Sequence, residues 1–217
     1  MTHFPRAAGF IDNWVIMMVS TTIIIGLLLT WEKKGIRQSH VILARICFLL
    51  PMSFFLAFLP PAILALLGTT LSMTQYFAIW AFIWLSMLSF GFVVLALFTH
   101  FGVQKGGGLH GLFLLLNFVC SPGLSPLETA YPPFKLGLGL PFLNAIEGMR
   151  TLLWGSYDHL PRVCGVLCAW IGLGLLVLLC DVYVEERKVR AKPRGPASSD
   201  CVAAEVSFIK LPSQAAP

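Results

Sequence analysis

The sequence predicts an all-α fold, a polytopic membrane helix bundle of about five transmembrane helices with a re-entrant or amphipathic element on its outer side. Three observations predict it. Apolar residues make up 57% of the chain and charged residues 12%, whereas a soluble domain carries ~25% charged residues to cover its surface. The apolar residues gather into runs at about 14–30, 41–67, 74–98, 109–121 and 163–184, and a crossing helix needs ~20 such residues. Between the last two runs, residues 122–160 read neither as an apolar helix nor as a polar loop.

Residues 1–13 form a short N-terminus, expected on the non-cytosolic side, with one arginine and no cleavage-site pattern. The first apolar run is therefore expected to serve as the targeting signal. Trp14 and Trp31 bracket that run as interfacial anchors. Its β-branched stretch Thr21 to Ile25 is acceptable in lipid, where the alternative to a helix is an unpaired backbone. The second run contains Pro51, Pro60 and Pro61. Each removes a backbone donor, which predicts a kinked span with its outer turn disrupted near Pro60. A short uncharged turn, 68–73, leads to the third run, which carries Trp80 and Trp84 and the small residues Ser86, Ser89 and Gly91. Ser86 and Ser89 are placed to meet another helix closely.

Gly106, Gly107 and Gly108 read as a flexible turn, since they lack the lysine and serine of a phosphate loop. The fourth run is too short to cross unaided, so it must be extended by its flanks or end inside the membrane. Asn117 lies within it, and a polar amide there is either interhelical glue or part of a site. The fifth run has Gly165, Gly172 and Gly174, which permit close packing. Residues 185–217 are basic and then rich in Pro, Ser and Ala, which reads as a disordered cytosolic tail.

The stretch from Leu112 to Gly155 organises the rest, and it passes into the outer segment 122–160. Pro122, Pro126, Pro132, Pro133 and Pro141, with Gly123, Gly137, Gly139 and Gly155, forbid one continuous helix. A short amphipathic helix is expected from Leu143 to Trp154. Two readings stay open, an outer loop with an interfacial helix and a folded plug or gate. The residues that would hold or gate it are Asn117, Pro126, Glu128, Asn144, Glu147 and Arg150. Glu147 and Arg150 are three apart and are expected to bridge on one helix face, worth ~0–1 kcal/mol at the surface. Glu128 is expected to accept hydrogen bonds from a helix start or from Arg150, because a buried carboxylate needs donors.

No catalytic constellation accompanies these residues. The motifs of nucleotide loops, zinc proteases and nucleophile elbows are missing, and the five histidines are scattered. Cys164 and Cys168 are four apart but lack a third ligand, so they read as packing. The expectation is a protein that is not an enzyme, with no cofactor and no metal. Its first partner is the lipid bilayer. The basic residues cluster beside the apolar runs, the pattern of membrane topology and not of nucleic-acid binding.

The pattern Asn117, Pro126-Leu127-Glu128, Pro133-Phe134, Gly137, Gly139, Pro141, Asn144, Gly148-Met149-Arg150-Thr151, Gly155 and Ala169-Trp170-Ile171 resembles a known family. It is similar to the C-terminal membrane half of the fungal nitrosoguanidine-resistance membrane proteins, a domain of unknown function. The resemblance covers about residues 14–185 and is most specific over 117–171. That family is similar in turn to the membrane domain of type-2 ABC exporters and to the bacterial phage-infection-protein group. The resemblance implies a six-helix bundle with outer re-entrant helices before the last span. It implies a multi-pass protein of the plasma membrane or endomembranes, exporting small molecules or lipid and conferring drug resistance without an ATPase of its own. Family members carry a further helix and a large extracytoplasmic domain upstream, so this sequence reads as the membrane half alone, with a homodimer or a separately encoded partner expected. The contrasting reading is a non-transporting scaffold or trafficking factor, or a truncated fragment of a longer member. It rests on the scarcity of charge within the apolar runs.

Of the fifteen Lys and Arg residues, eleven fall on one side if the chain starts outside, which predicts five spans with the C-terminus in the cytosol. A cysteine at Lys34, in a background without other cysteines, is then expected to react with an impermeant maleimide only after the membrane is opened. Labelling in sealed cells would reverse the topology.

Overall fold

The structure, a computed structural model, describes residues 37–66, 68–121, 132–155 and 159–191, and every element in them is helical. In chain order these are α1 (Gln38–Leu56), α2 (Leu59–Leu66), α3 (Met73–Val119), a 3-10 helix (Pro132–Gly139), α4 (Pro141–Trp154) and α5 (Leu160–Ala191). The first apolar run, 14–30, and the tail from 192 lie outside the described residues. Among the described residues, three helices are long and apolar enough to cross a membrane: Ser39–Leu66, Met73–Val119 and Leu160–Ala191.

The second run divides where Pro60 and Pro61 dictate. α1 continues through Pro51, and the interruption falls at Ala57 and Phe58. Pro60 and Pro61 have no N–H to offer, and their rings crowd the carbonyls of Leu56 and Ala57 one turn back. As the second and third residues of α2 they cost nothing, because the first turn of a helix has no carbonyls to meet. Gly68, at φ 86°, ends α2. The Thr69 N–H donates to the Leu64 carbonyl (3.2 Å) and the Gly68 N–H to that of Ala65 (3.1 Å), a Schellman closure. Ser72 then opens α3 with a reciprocal capping box to Gln75.

α3 is two helices in one. At Gly102 the backbone leaves helical geometry (φ 73°, ψ 177°), a conformation open to glycine. The chain folds back there. The rings of Phe98 and His110 lie 6.0 Å apart, as do those of Phe90 and Phe113. In a straight helix Phe90 and Phe113 would be about 35 Å apart. The turn is therefore Gly102 alone. Gly106, Gly107 and Gly108, expected as a flexible turn, are helical. Gly106 serves close approach, since a Cβ there would sit 3.0 Å from the Leu97 carbonyl oxygen. The fourth run is thereby extended at its start to Val103, and its arm to Val119 rises about 25 Å.

The first arm of α3 is the centre of packing. Residues 86–96 are buried on every side, as an all-round apolar helix must be. Leu88, Phe92 and Leu95 meet Ile42 and Leu49 of α1 and Leu178 of α5. Phe82, Ile83 and Met87 meet Leu64, Met149, Val163 and Leu167. Phe90 meets Phe142 and Ile146 of α4. Glycines allow these approaches. A Cβ on Gly148 would land in the Phe82 ring, and one on Gly174 would sit 2.8 Å from the Phe92 backbone.

α5 extends to Ala191, beyond the end at 184 that hydropathy suggests, so 185–191 are helical and not a disordered tail. Within this last segment, which forms a separate compact unit from Tyr183, Glu185 pairs with Lys188 (3.8 Å) and Glu186 with Arg190 (3.9 Å). These spacings favour helix, and the basic residues suit the C-terminal end of the helix dipole.

Gly148→Ala and Gly174→Ala are each expected to cost about 1–3 kcal/mol through overpacking. Gly172→Ala, where a Cβ meets nothing within 4 Å, should leave stability unchanged or slightly raised. Thermal unfolding of the three variants in one detergent measures the difference.

Candidate functional site: a short helix enclosed in the bundle

α4 is a membrane-type helix that cannot cross a membrane. Its 14 residues rise about 21 Å, against ~30 Å for a hydrocarbon core. Pro141 through Ile146, Gly148 and Met149 are buried, while Trp154 and Gly155 at its far end are exposed. The helix thus enters the protein by its N-terminus. It starts two residues before the expected Leu143, with Pro141 in the first turn where a missing N–H costs nothing. It ends on Gly155 at φ 63°.

A buried helix start leaves backbone donors that need partners. Leu140, the residue before the helix, supplies no side-chain cap. Asn117 supplies one from α3. Its Oδ1 accepts from the Phe142 N–H at 3.2 Å, and its Nδ2 donates to the Phe113 carbonyl at 2.9 Å. Asn117 is 2% exposed, so its amide does at this helix start what solvent does at an exposed one. Asn144 secures the entry segment from the other side. Its Nδ2 donates to the carbonyls of Leu138 (2.9 Å) and Leu140 (2.7 Å). From α5, Trp170 Nε1 donates to the Gly139 carbonyl at 2.8 Å. Gly137 lies so close to the Cys120 carbonyl that no Cβ would fit. Two acceptors here have capacity left: Asn144 Oδ1 and Ser121 Oγ are buried with no hydrogen-bond partner. The Asn144 amide cannot simply be reversed, because both its N–H groups are already committed to carbonyls.

The acid of this helix reaches further than its own turn. Glu147 pairs with Arg162 at the start of α5, with Nη2 to Oε2 at 3.1 Å, a partner that helix spacing does not point to. The pair is partly exposed and contributes little stability. Arg150 is half-buried on α4. Pro126 and Glu128 lie outside the described residues, and so does the hydrogen bonding expected of Glu128.

Sequence reasoning singled out Asn117 and Asn144 and missed the residues that close the other broken helix. At the α1–α2 interruption the Phe58 N–H bonds to Phe55 (3.2 Å), which releases the Phe54 carbonyl. Trp80 Nε1 donates to that carbonyl at 3.2 Å, Tyr76 Oη approaches the Phe58 carbonyl at 3.5 Å, and Trp84 Nε1 donates to Ser53 Oγ at 3.2 Å. Tyr76, Trp80 and Trp84 recur every four residues, the signal for one helix face. The Phe54 ring meets the Trp80 and Trp84 rings edge-on, and Phe58 stacks on Trp80.

Among the described residues no His, Cys, Asp and Glu side chains group as a metal site, and Cys120, Cys164 and Cys168 are free thiols. An all-helical architecture with three helices long and apolar enough to cross a membrane, among the described residues, places the chain with membrane proteins. The family follows from sequence: a family profile described as "Protein of unknown function (DUF3533)" matches residues 4–176, and the chain belongs to that family. No curated protein and no solved structure matches it.

Asn117→Leu keeps the side-chain volume and removes the Oδ1 acceptor of the buried Phe142 N–H. It is expected to lower stability by about 1–3 kcal/mol, read as a fall in melting temperature.

Proposed function

We propose that this chain is the membrane part of an export system for lipophilic small molecules or lipid, in which α4 is the plug of the pathway. The observation that supports the reading is a helix too short to cross, buried over its N-terminal half, whose entry is held by Asn117 and Trp170 from two neighbouring helices and by its own Asn144. Irregular backbone at membrane depth is tolerated where it is enclosed by protein or lines a path for solutes. The unfilled acceptors Asn144 Oδ1 and Ser121 Oγ are the polar contacts that a passing headgroup or solute would meet. On the expected topology this entrance lies on the non-cytosolic side. The sequence holds no nucleotide-binding loop, so ATP hydrolysis by that route would fall to a separately encoded partner, while a second copy would complete the bundle.

One observation favours the other reading, a non-transporting scaffold or trafficking factor. Gly148 lies against Phe82 with no space between them, so α4 closes the bundle in this conformation. Equilibration of a fluorescent lipid analogue and of a lipophilic dye across proteoliposomes separates the two, because downhill flux needs no energy source. The export reading predicts measurable flux that rises severalfold in Phe82→Ala, which loosens the plug. Absence of flux for both probes in both proteins would favour the scaffold.

A further inference from the structure

We infer that the end of α5 is a docking surface for anionic lipid headgroups. The apolar side of this helix ends at Tyr183 and Val184, both about half exposed. The Arg187 guanidinium lies over the Tyr183 ring, 5.0 Å from its centre. A tyrosine at the end of an apolar run sits at headgroup depth, and this contact places the arginine beside it. Lys188 and Arg190 have side chains 71% and 84% exposed, and their pairings with Glu185 and Glu186 stretch to 3.8 and 3.9 Å. Contacts that long between exposed groups leave the cationic heads available. The sequence then continues the same charge. From Arg187 to Ser199 come Arg187, Lys188, Arg190, Lys192 and Arg194, with no acidic residue before Asp200.

Four to eight basic residues directly beyond a membrane helix attract the anionic leaflet, each adding to the attraction within a Debye length of the surface. In the chain the two glutamates come first, next to the apolar run, and the basic residues follow them. This arrangement fits a surface of phosphatidylserine-type headgroups and gives no reason to hold a zwitterionic one. The inference rests on the membrane character of the chain and is independent of any transport activity.

The test uses the full chain reconstituted in phosphatidylcholine vesicles at ~0.1 M salt, with spin-labelled phosphatidylserine or spin-labelled phosphatidylcholine as probe. The fraction of probe held motionally restricted by the protein is measured. The expected result is a preference for phosphatidylserine of about threefold or more. It should fall toward one in 0.5 M salt, and in a variant with all five basic residues changed to Gln. An unchanged restricted fraction of phosphatidylcholine in that variant reports an intact bundle. In Lys33→Gln/Lys34→Gln/Arg37→Gln, which alters the other basic cluster, the preference should persist. A preference absent from the unmodified protein, retained in the five-residue variant, or abolished by the 33–37 changes would overturn the inference.

Discussion

A backbone amide surrounded by apolar side chains has no water to turn to, so each break in a buried helix must find its hydrogen bonds elsewhere in the protein. This chain breaks its helices at Pro60 and Pro61 and resumes helix at Pro141 deep in the protein. In both places the missing partners come from another helix. Trp80 reaches the Phe54 carbonyl, Asn117 reaches the Phe142 N–H, and Trp170 reaches the Gly139 carbonyl. The donors and acceptors are long or amphipathic side chains projecting from regular helices, which lets a rigid element define the position of an irregular one. The break at Gly102 differs, because exposed neighbours such as Phe101 and Val103 flank it.

The central arm of α3 carries most of this load. It presents Tyr76, Trp80 and Trp84 to the α1–α2 break and Phe82 and Phe90 to α4. Gly91, Gly148 and Gly174 set the separations, since each lies where a side chain would strike its neighbour. Association of apolar helices in lipid depends on such close packing and not on the hydrophobic effect. Enlarging Gly148 therefore acts on the position of α4 as well as on stability, while Gly91 and Gly174 set the distances of this arm from α1 and α5.

How much of this was legible in the sequence depended on the range of each interaction. The Pro60–Pro61 break is local, and so it was readable: the missing donors and the ring clash lie within one turn. The class of the fold was readable from composition and run length. Asn117 stood out as a polar residue in an apolar run, but its partner Phe142 lies 25 positions away and no spacing rule reaches it. Glu147 has Arg162, 15 positions on, as an ion-pair partner, and helix periodicity, which reaches only as far as Arg150, gives no sign of it. Three consecutive glycines looked like the turn, yet the reversal needs a single residue with positive φ, and Gly102 provides it. Trp80 and Trp84 were visible as aromatic residues, while their role as donors to broken backbone depended on the break lying beside them.

The central claim is that α4 is enclosed by the bundle and not laid on a membrane surface. Amide hydrogen exchange of the chain in lipid nanodiscs measures this most directly. The amides of 142–149 are expected to exchange as slowly as those of the buried α3 segment 86–96, and Asn117→Leu to speed exchange at 142–149 while leaving 86–96 protected. Exchange at 142–149 as fast as that of the exposed helix end at 185–191, in the unmodified protein, would contradict it.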